Sequence, residues 1–276
     1  MEIYRQQIDA IGRHDIQLAN GDLFYHERMD RKAIAEFFHC KENEICFGDL
    51  YLENGEKNPY KVILGDLYFV GKNIRDLGEL IYIGGSAHFF GSLIKKLGPL
   101  QVIGGDLNVM ECDRLESLQN VTNVGGDVYI DKCHLLEDLG NLTNVGGNLY
   151  VTTYNCPCLT SLNNVTNVGE NASISGDIIK SLGNLTCVGN DLNIAFAENI
   201  NSLERVSYVG GALYCWGKHG LDFGDARYIK RFDCDQELQK DVDREFEPNG
   251  YRKLNQEKNL CMQLRKKTSS GWVNYR

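Results

Sequence analysis

From Asp49 to Trp216 the apolar residues of this chain fall into columns. With each unit anchored on the residue that follows a glycine corner, the anchors are Asp49, Asp66, Ser86, Asp106, Asp127, Asn148, Asn171, Asp191 and Ala212. Successive anchors lie 17, 20, 20, 21, 21, 23, 20 and 21 residues apart. Upstream of each anchor an apolar residue stands at every third position. In the unit of Asp127 these are Leu115, Leu118, Val121 and Val124, and the set that opens at Ile74 is Ile74, Leu77, Leu80 and Ile83. After the anchor the period changes from three to two, so Leu107 and Val109 face one way while Asn108 and Met110 face the other.

Each unit therefore carries one short strand. A spacing of three does not wrap an ordinary helix onto a core, but it suits an extended or 3₁₀-like back wall. The glycine pair supplies a corner that needs either positive φ or a close approach of backbones. A turn of about 21 residues cannot bury its own apolar side and must stack on its neighbours, which makes one continuous core and a parallel sheet along one face. The predicted fold is a repeat solenoid with one short parallel strand per turn of about 21 residues and small helical caps. Residues 1–46 are expected to form an N-terminal cap, 47–216 about nine turns, 217–250 a C-terminal cap helix and 251–276 a basic tail. In the first cap, "HDIQLANGDLFYHE" alternates around Asn20-Gly21 as a hairpin would, and "DRKAIAEFFHC" predicts a short helix from an Asp30 N-cap. In the second, Leu238, Val242 and Phe246 stand four apart, and Pro248-Asn249-Gly250 breaks the helix.

The stretches "LNVMECDRL" from Leu107 and "VYIDKCHLL" from Val128 resemble the leucine-rich-repeat pattern, which implies a fold that is leucine-rich-repeat-like or β-helix-like, and the Gly-Gly corners, such as "IGGDL" from Ile103 and "VGGDV" from Val124, are similar to the L domains of growth-factor receptors. The resemblance spans residues 47–216. It implies a solenoid that serves as a binding surface. Gly-Gly before the strand and the lack of a consistent Asn ladder depart from the usual pattern, and both a curved horseshoe and a straight β-helix remain open.

Composition and charge narrow the function classes. The formal charge is -9, with 19 acids against 10 bases over residues 47–216 and Glu257 against seven bases over 248–276. No run approaches the roughly 18 apolar residues of a membrane span, and the first residues lack the apolar core of a secretory signal. A cytoplasmic protein is expected, with no membrane partner. Ten cysteines then read as reduced thiols. The sequons at Asn120, Asn141, Asn164, Asn171 and Asn184 read as copies carried along by the repeat. The basic tail could meet nucleic acid, but the acidic body opposes a phosphate backbone; docking on that body or solvation fits better, and residues 251–276 are expected to be removable.

Two clusters could carry chemistry. Cys112 and Cys133 occupy one column, with Cys156, Cys158 and His134 close in sequence, a donor set that zinc would accept. The same column suits cysteine as a small buried residue, which is the preferred reading, so no metal and no cofactor are expected. Asp106, Asp127 and Asp191 could act as stacked carboxylates in a polysaccharide-cleaving β-helix, but a short carboxylate at a tight corner more often accepts bonds from nearby N–H groups. No nucleophile elbow, P-loop or metalloprotease motif is present, and no enzyme is expected. Glu137 and Asp138 flank the core column of Leu139 and read as solvated.

The outward strand positions say more. Two after the anchor the column includes Tyr68, His88, Tyr129, Tyr150 and Tyr214; four after, it includes Val70, Phe90 and Met110. Solvent gives no reason for the last three, and an apolar, aromatic sheet face suits a protein partner. The expected function is a non-catalytic protein-protein interaction module, an inhibitor, adaptor or effector, binding through Tyr68, Val70, His88, Phe90, Met110, Tyr129, Tyr150 and Tyr214. The alternative is a carbohydrate-binding or polysaccharide-cleaving β-helix.

Overall fold

The structure is a computed structural model, and it describes residues 30–53, 55–71 and 76–253 together with the strands Ile16–Gln17 and Leu23–Phe24. From Ile45 onward the chain winds into a parallel β-solenoid. A middle coil contributes a two-residue strand and then a four-residue strand, such as Asn123–Val124 followed by Val128–Asp131. Each pairs in parallel with its equivalent one coil away, Asn123 with Asn144 and Tyr129 with Tyr150. A long-strand ladder and a short-strand ladder thus run side by side and meet at the glycine corner. Isolated parallel bridges, Lys96 to Ser117 to Asp138, mark a third line down the coil. The pairing also continues past residue 216: Tyr228–Asp233 lies parallel to Tyr208–Tyr214, so the solenoid has one more coil than the sequence pattern suggested.

The period of three comes from β-turns. Leu115 N–H donates to Cys112 O at 3.0 Å and Val121 N–H to Leu118 O at 3.2 Å, and the next coil repeats both bonds at Leu136 and Leu142. A turn closed from i to i+3 returns both ends to the same side, so a wall built of such turns points every third side chain inward. Leu77, Leu97, Leu118, Leu139, Leu162, Leu182 and Leu203 are all buried as a result. One apolar core runs unbroken from Leu52 to Phe246. Ile74 lies outside the described residues.

Of the two roles proposed for the glycine corner, close approach is the one used. The corner glycines are absent from the positive-φ residues. A Cβ on Gly125 would stand 2.2 Å from Gly104 O, and one on Gly146 would stand 2.3 Å from Gly125 O, so the backbones nest too closely for a side chain. Positive φ falls elsewhere, eight residues before the anchor, where Gln119, Gly140 and Asn163 have φ of 51, 59 and 52°. Each of these left-handed corners is held from two residues upstream. Ser117 Oγ accepts from Gln119 N–H at 3.0 Å, Asp138 Oδ1 from Gly140 N–H at 2.7 Å and Ser161 Oγ from Asn163 N–H at 3.0 Å. Asp138 is therefore not a solvated flank.

The caps cover different faces. Helix α1 (Arg31–Phe37) begins where Asp30 Oδ1 accepts from Ala33 N–H at 2.8 Å. It buries Ile34, Ala35 and Phe38 against Ile45, Val62, Tyr82 and Val102, which are outward positions of the short-strand ladder. The long-strand face of the same coils is left uncovered by α1. The two short strands Ile16–Gln17 and Leu23–Phe24 pair antiparallel, as the hairpin pattern predicts. At the far end, helix α2 (Gln236–Glu245) buries Leu238 and Val242, and Phe246 follows with its ring 5.2 Å from Phe223 and 4.8 Å from Phe232. The chain then doubles back. Ile229 N–H donates to Gly250 O at 3.0 Å, Tyr251 bridges Tyr228, and Arg252 reaches Glu245 at 2.5 Å and Gly224 O at 2.6 Å. Residues 251–253 thus complete the cap and are not part of a free tail.

Candidate partner-binding face

The long-strand face is built on a hydrogen-bonded column that composition alone conceals. Each anchor side chain accepts the backbone N–H of the next anchor: Asp49 from Asp66 at 2.8 Å, Asp66 from Ser86 at 2.7 Å, Ser86 from Asp106 at 3.0 Å and Asp106 from Asp127 at 2.8 Å. The series continues from Asp127 through Asn148, Asn171 and Asp191 to Ala212, at 2.7 to 3.1 Å. The ladder missing from the leucine-rich-repeat position is therefore present at the anchor, filled by any short side chain with an acceptor oxygen. Ala212 ends it, because the last member only donates.

Two residues on, the predicted aromatics stack along the axis. Tyr51 and Tyr68 lie 4.5 Å apart with ring planes 4° from parallel, Tyr68 and His88 lie 4.8 Å apart, and Tyr129 and Tyr150 lie 4.9 Å apart. Asn108 joins the two runs by holding His88 Nδ1 at 3.1 Å. Tyr68 donates its hydroxyl to Asp66 Oδ2 at 3.2 Å and Tyr129 donates to Asp127 Oδ2 at 3.0 Å. The Asp66 hydrogen bond and charge hold the Tyr68 hydroxyl above its ordinary value, and burial together with the Asp127 bond pushes Tyr129 up to about 12. Both hydroxyls thus keep their proton on the bond to the anchor carboxylate.

The neighbouring row runs Glu53, Val70, Phe90, Met110 and Asp131 through direct strand register. Val70 is 46% exposed and Phe90 38%, while Met110 is half-buried. Met110 also lines a shallow hollow of about 230 Å³ with Asn108, Tyr129, Asp131, Tyr150 and Thr152. Tyr68, Val70, His88, Phe90, Met110, Tyr129 and Tyr150 form one surface. Tyr214 stands in the same column further along, with Ser173 and Asn193 between it and Tyr150.

The cysteine cluster resolves into core. Cys112, Cys133 and Cys156 are buried; Cys112 Sγ donates to Phe89 O at 3.4 Å and Cys133 Sγ to Asp131 O at 3.4 Å. Cys158 is exposed, and His134 turns outward to Asp113 at 2.6 Å. Among the described residues no group of three or more His, Cys, Asp or Glu is placed to hold a metal. Burial pushes Cys187 up to about 11. The sequons also have a structural use. Asn120 and Asn164 donate to Gly98 O and Gly140 O at 2.7 and 2.8 Å, while Thr143 and Thr166 donate to Thr122 O and Thr143 O at 3.1 and 2.9 Å. Asn144 and Asn167 extend an amide ladder from Asn123 at 2.8 and 2.9 Å. The signal for this ladder was available: the same column is apolar at Val62, Tyr82 and Val102 under α1 and turns to asparagine where α1 ends.

No known protein family, curated protein or solved structure matches the chain. The fold and the face define a β-solenoid of stacked coils of about 20 residues, with two short helices among the described residues. None of the described helices is long and apolar enough to cross a membrane.

Proposed function

We propose that this chain is a non-catalytic protein-protein interaction module, an inhibitor, adaptor or effector acting in the cytoplasm, and that its partner docks on the long-strand face of the N-terminal half. The observation that carries this reading is the exposure of Val70 and Phe90 beside Met110 on a face that α1 leaves open. Strands fixed on both sides by neighbouring coils hold these side chains as a grid, so little ordering entropy opposes docking. Kinship with leucine-rich repeats or receptor L domains is the finer part of the proposal, supported by the strand-and-cysteine pattern of the repeat.

Carbohydrate binding is the second reading, and the ring geometry counts against it. Sugars stack on exposed ring faces, whereas Tyr68 is covered on both faces by Tyr51 and His88, and Tyr129 and Tyr150 each cover one face of the other. The anchor carboxylates likewise spend an oxygen on the ladder, which fits a structural duty better than a general base. Affinity capture from the native host with Phe90→Glu beside the parent tests the proposal. The variant should lose the specifically captured protein while its Tm stays within a few degrees. Retention of the same captured protein by a folded Phe90→Glu would count against this face.

A further inference from the structure

The chemistry of the face specifies more than an apolar contact. Its anchor, second and fourth positions over the five coils from Asp49 to Asp131 include Asp49, Glu53, Asp66, Asp106, Asp127 and Asp131, and no lysine or arginine. Lys132, which follows Asp131, is paired with Glu111 at 2.8 Å. Two of the face's tyrosines, Tyr68 and Tyr129, give their one proton to Asp66 and Asp127, which leaves them as acceptors toward a partner. Val70 and Phe90 therefore sit in a field of negative charge and hydrogen-bond acceptors.

Resting on the interaction reading above, we infer that the partner is a cationic, donor-rich polypeptide segment in which arginine or lysine alternates with aliphatic side chains. Carboxylates brought against acidic groups would repel and be desolvated without compensation, so an acidic partner is rejected, and so is a second copy meeting face to face. Nucleic acid is rejected for the same reason. A cationic segment instead pairs its donors with the carboxylate rim and lays its apolar residues on Val70, Phe90 and Met110.

The test uses three fluorescent octapeptides alternating leucine with arginine, serine or glutamate, titrated against the full chain. The Arg-Leu peptide should bind best, and its affinity should fall about tenfold between low and moderate salt. Glu53→Lys with Asp131→Lys should weaken it about tenfold further, while Glu79→Lys with Glu137→Lys, outside the face, should leave it unchanged. Equal binding of the serine or glutamate peptide, lost in Phe90→Lys, would overturn the cationic partner and leave the interaction face standing. Failure of all three peptides would overturn the inference. So would an increase in Arg-Leu binding on charge reversal at Arg265, Lys266 and Lys267, since the chain's own tail would then be the occupant.

Discussion

Replacing Asp127 by alanine probes the anchor ladder in the middle of the solenoid. Asp127 Oδ1 accepts the Asn148 backbone N–H at 2.7 Å and its Nδ2 at 3.0 Å, and Oδ2 accepts the Tyr129 hydroxyl at 3.0 Å. Alanine leaves the Asn148 N–H without its acceptor in a crowded corner, where a buried unsatisfied donor costs about 1–3 kcal/mol. The Tyr129 hydroxyl remains half-exposed and can turn to water, so it adds little. We expect a loss of about 2 kcal/mol for Asp127→Ala. Asp127→Asn keeps one acceptor oxygen for the ladder and should cost about 1 kcal/mol or less. Equilibrium urea unfolding, with the slope m checked for constancy, measures both. If alanine costs less than about 0.5 kcal/mol, or asparagine costs as much as alanine, the ladder does not hold the coils in register.

The remaining expectations concern the corners, a tyrosine and the cap. Gly146→Ala would bring a Cβ to 2.3 Å from Gly125 O and should lower Tm strongly, whereas Gly147→Asn should be milder, because Glu170 and Asn190 already occupy that position in later coils. Asp138→Ala removes the acceptor that holds Gly140 at φ 59° and should cost about 1–2 kcal/mol by urea unfolding, where Glu137→Ala should be near neutral. Ultraviolet titration should show Tyr129 ionising near 12; because the folded state holds this proton more tightly, its stabilising contribution is intact below the ordinary tyrosine pKa of about 10 and is lost as pH rises towards 12, and Asp127→Asn should shift the transition down. A chain ending at Lys253 should melt like the parent, while one ending at Gly250 should melt lower, since it loses the Arg252 contacts to Glu245 and Gly224.

The coil length, the inward columns and the outward face were legible because each repeats, and periodicity is visible in a single chain. What sequence could not supply was the partner of each polar column. Ser86, Asp106 and Asn148 look unlike as residues, yet each offers one short-reach acceptor to the N–H of the next coil, and that equivalence becomes visible only when coils are stacked. Asp138 was missed because its duty is local, closing a left-handed corner two residues on, and a core-column argument is blind to backbone conformation. The last coil was missed because Tyr228–Asp233 has one residue fewer at the corner, which removes the Gly-Gly mark while preserving the strand.

The claim that the long-strand face receives a protein is tested most directly by photo-crosslinking in the native host, with a benzophenone amino acid placed singly at Val70, at Met110 and, as a control on the turn wall, at Glu79. A discrete adduct with the same protein is expected from positions 70 and 110, and none from position 79. Adducts of equal yield from all three positions, or from position 79 alone, would contradict it.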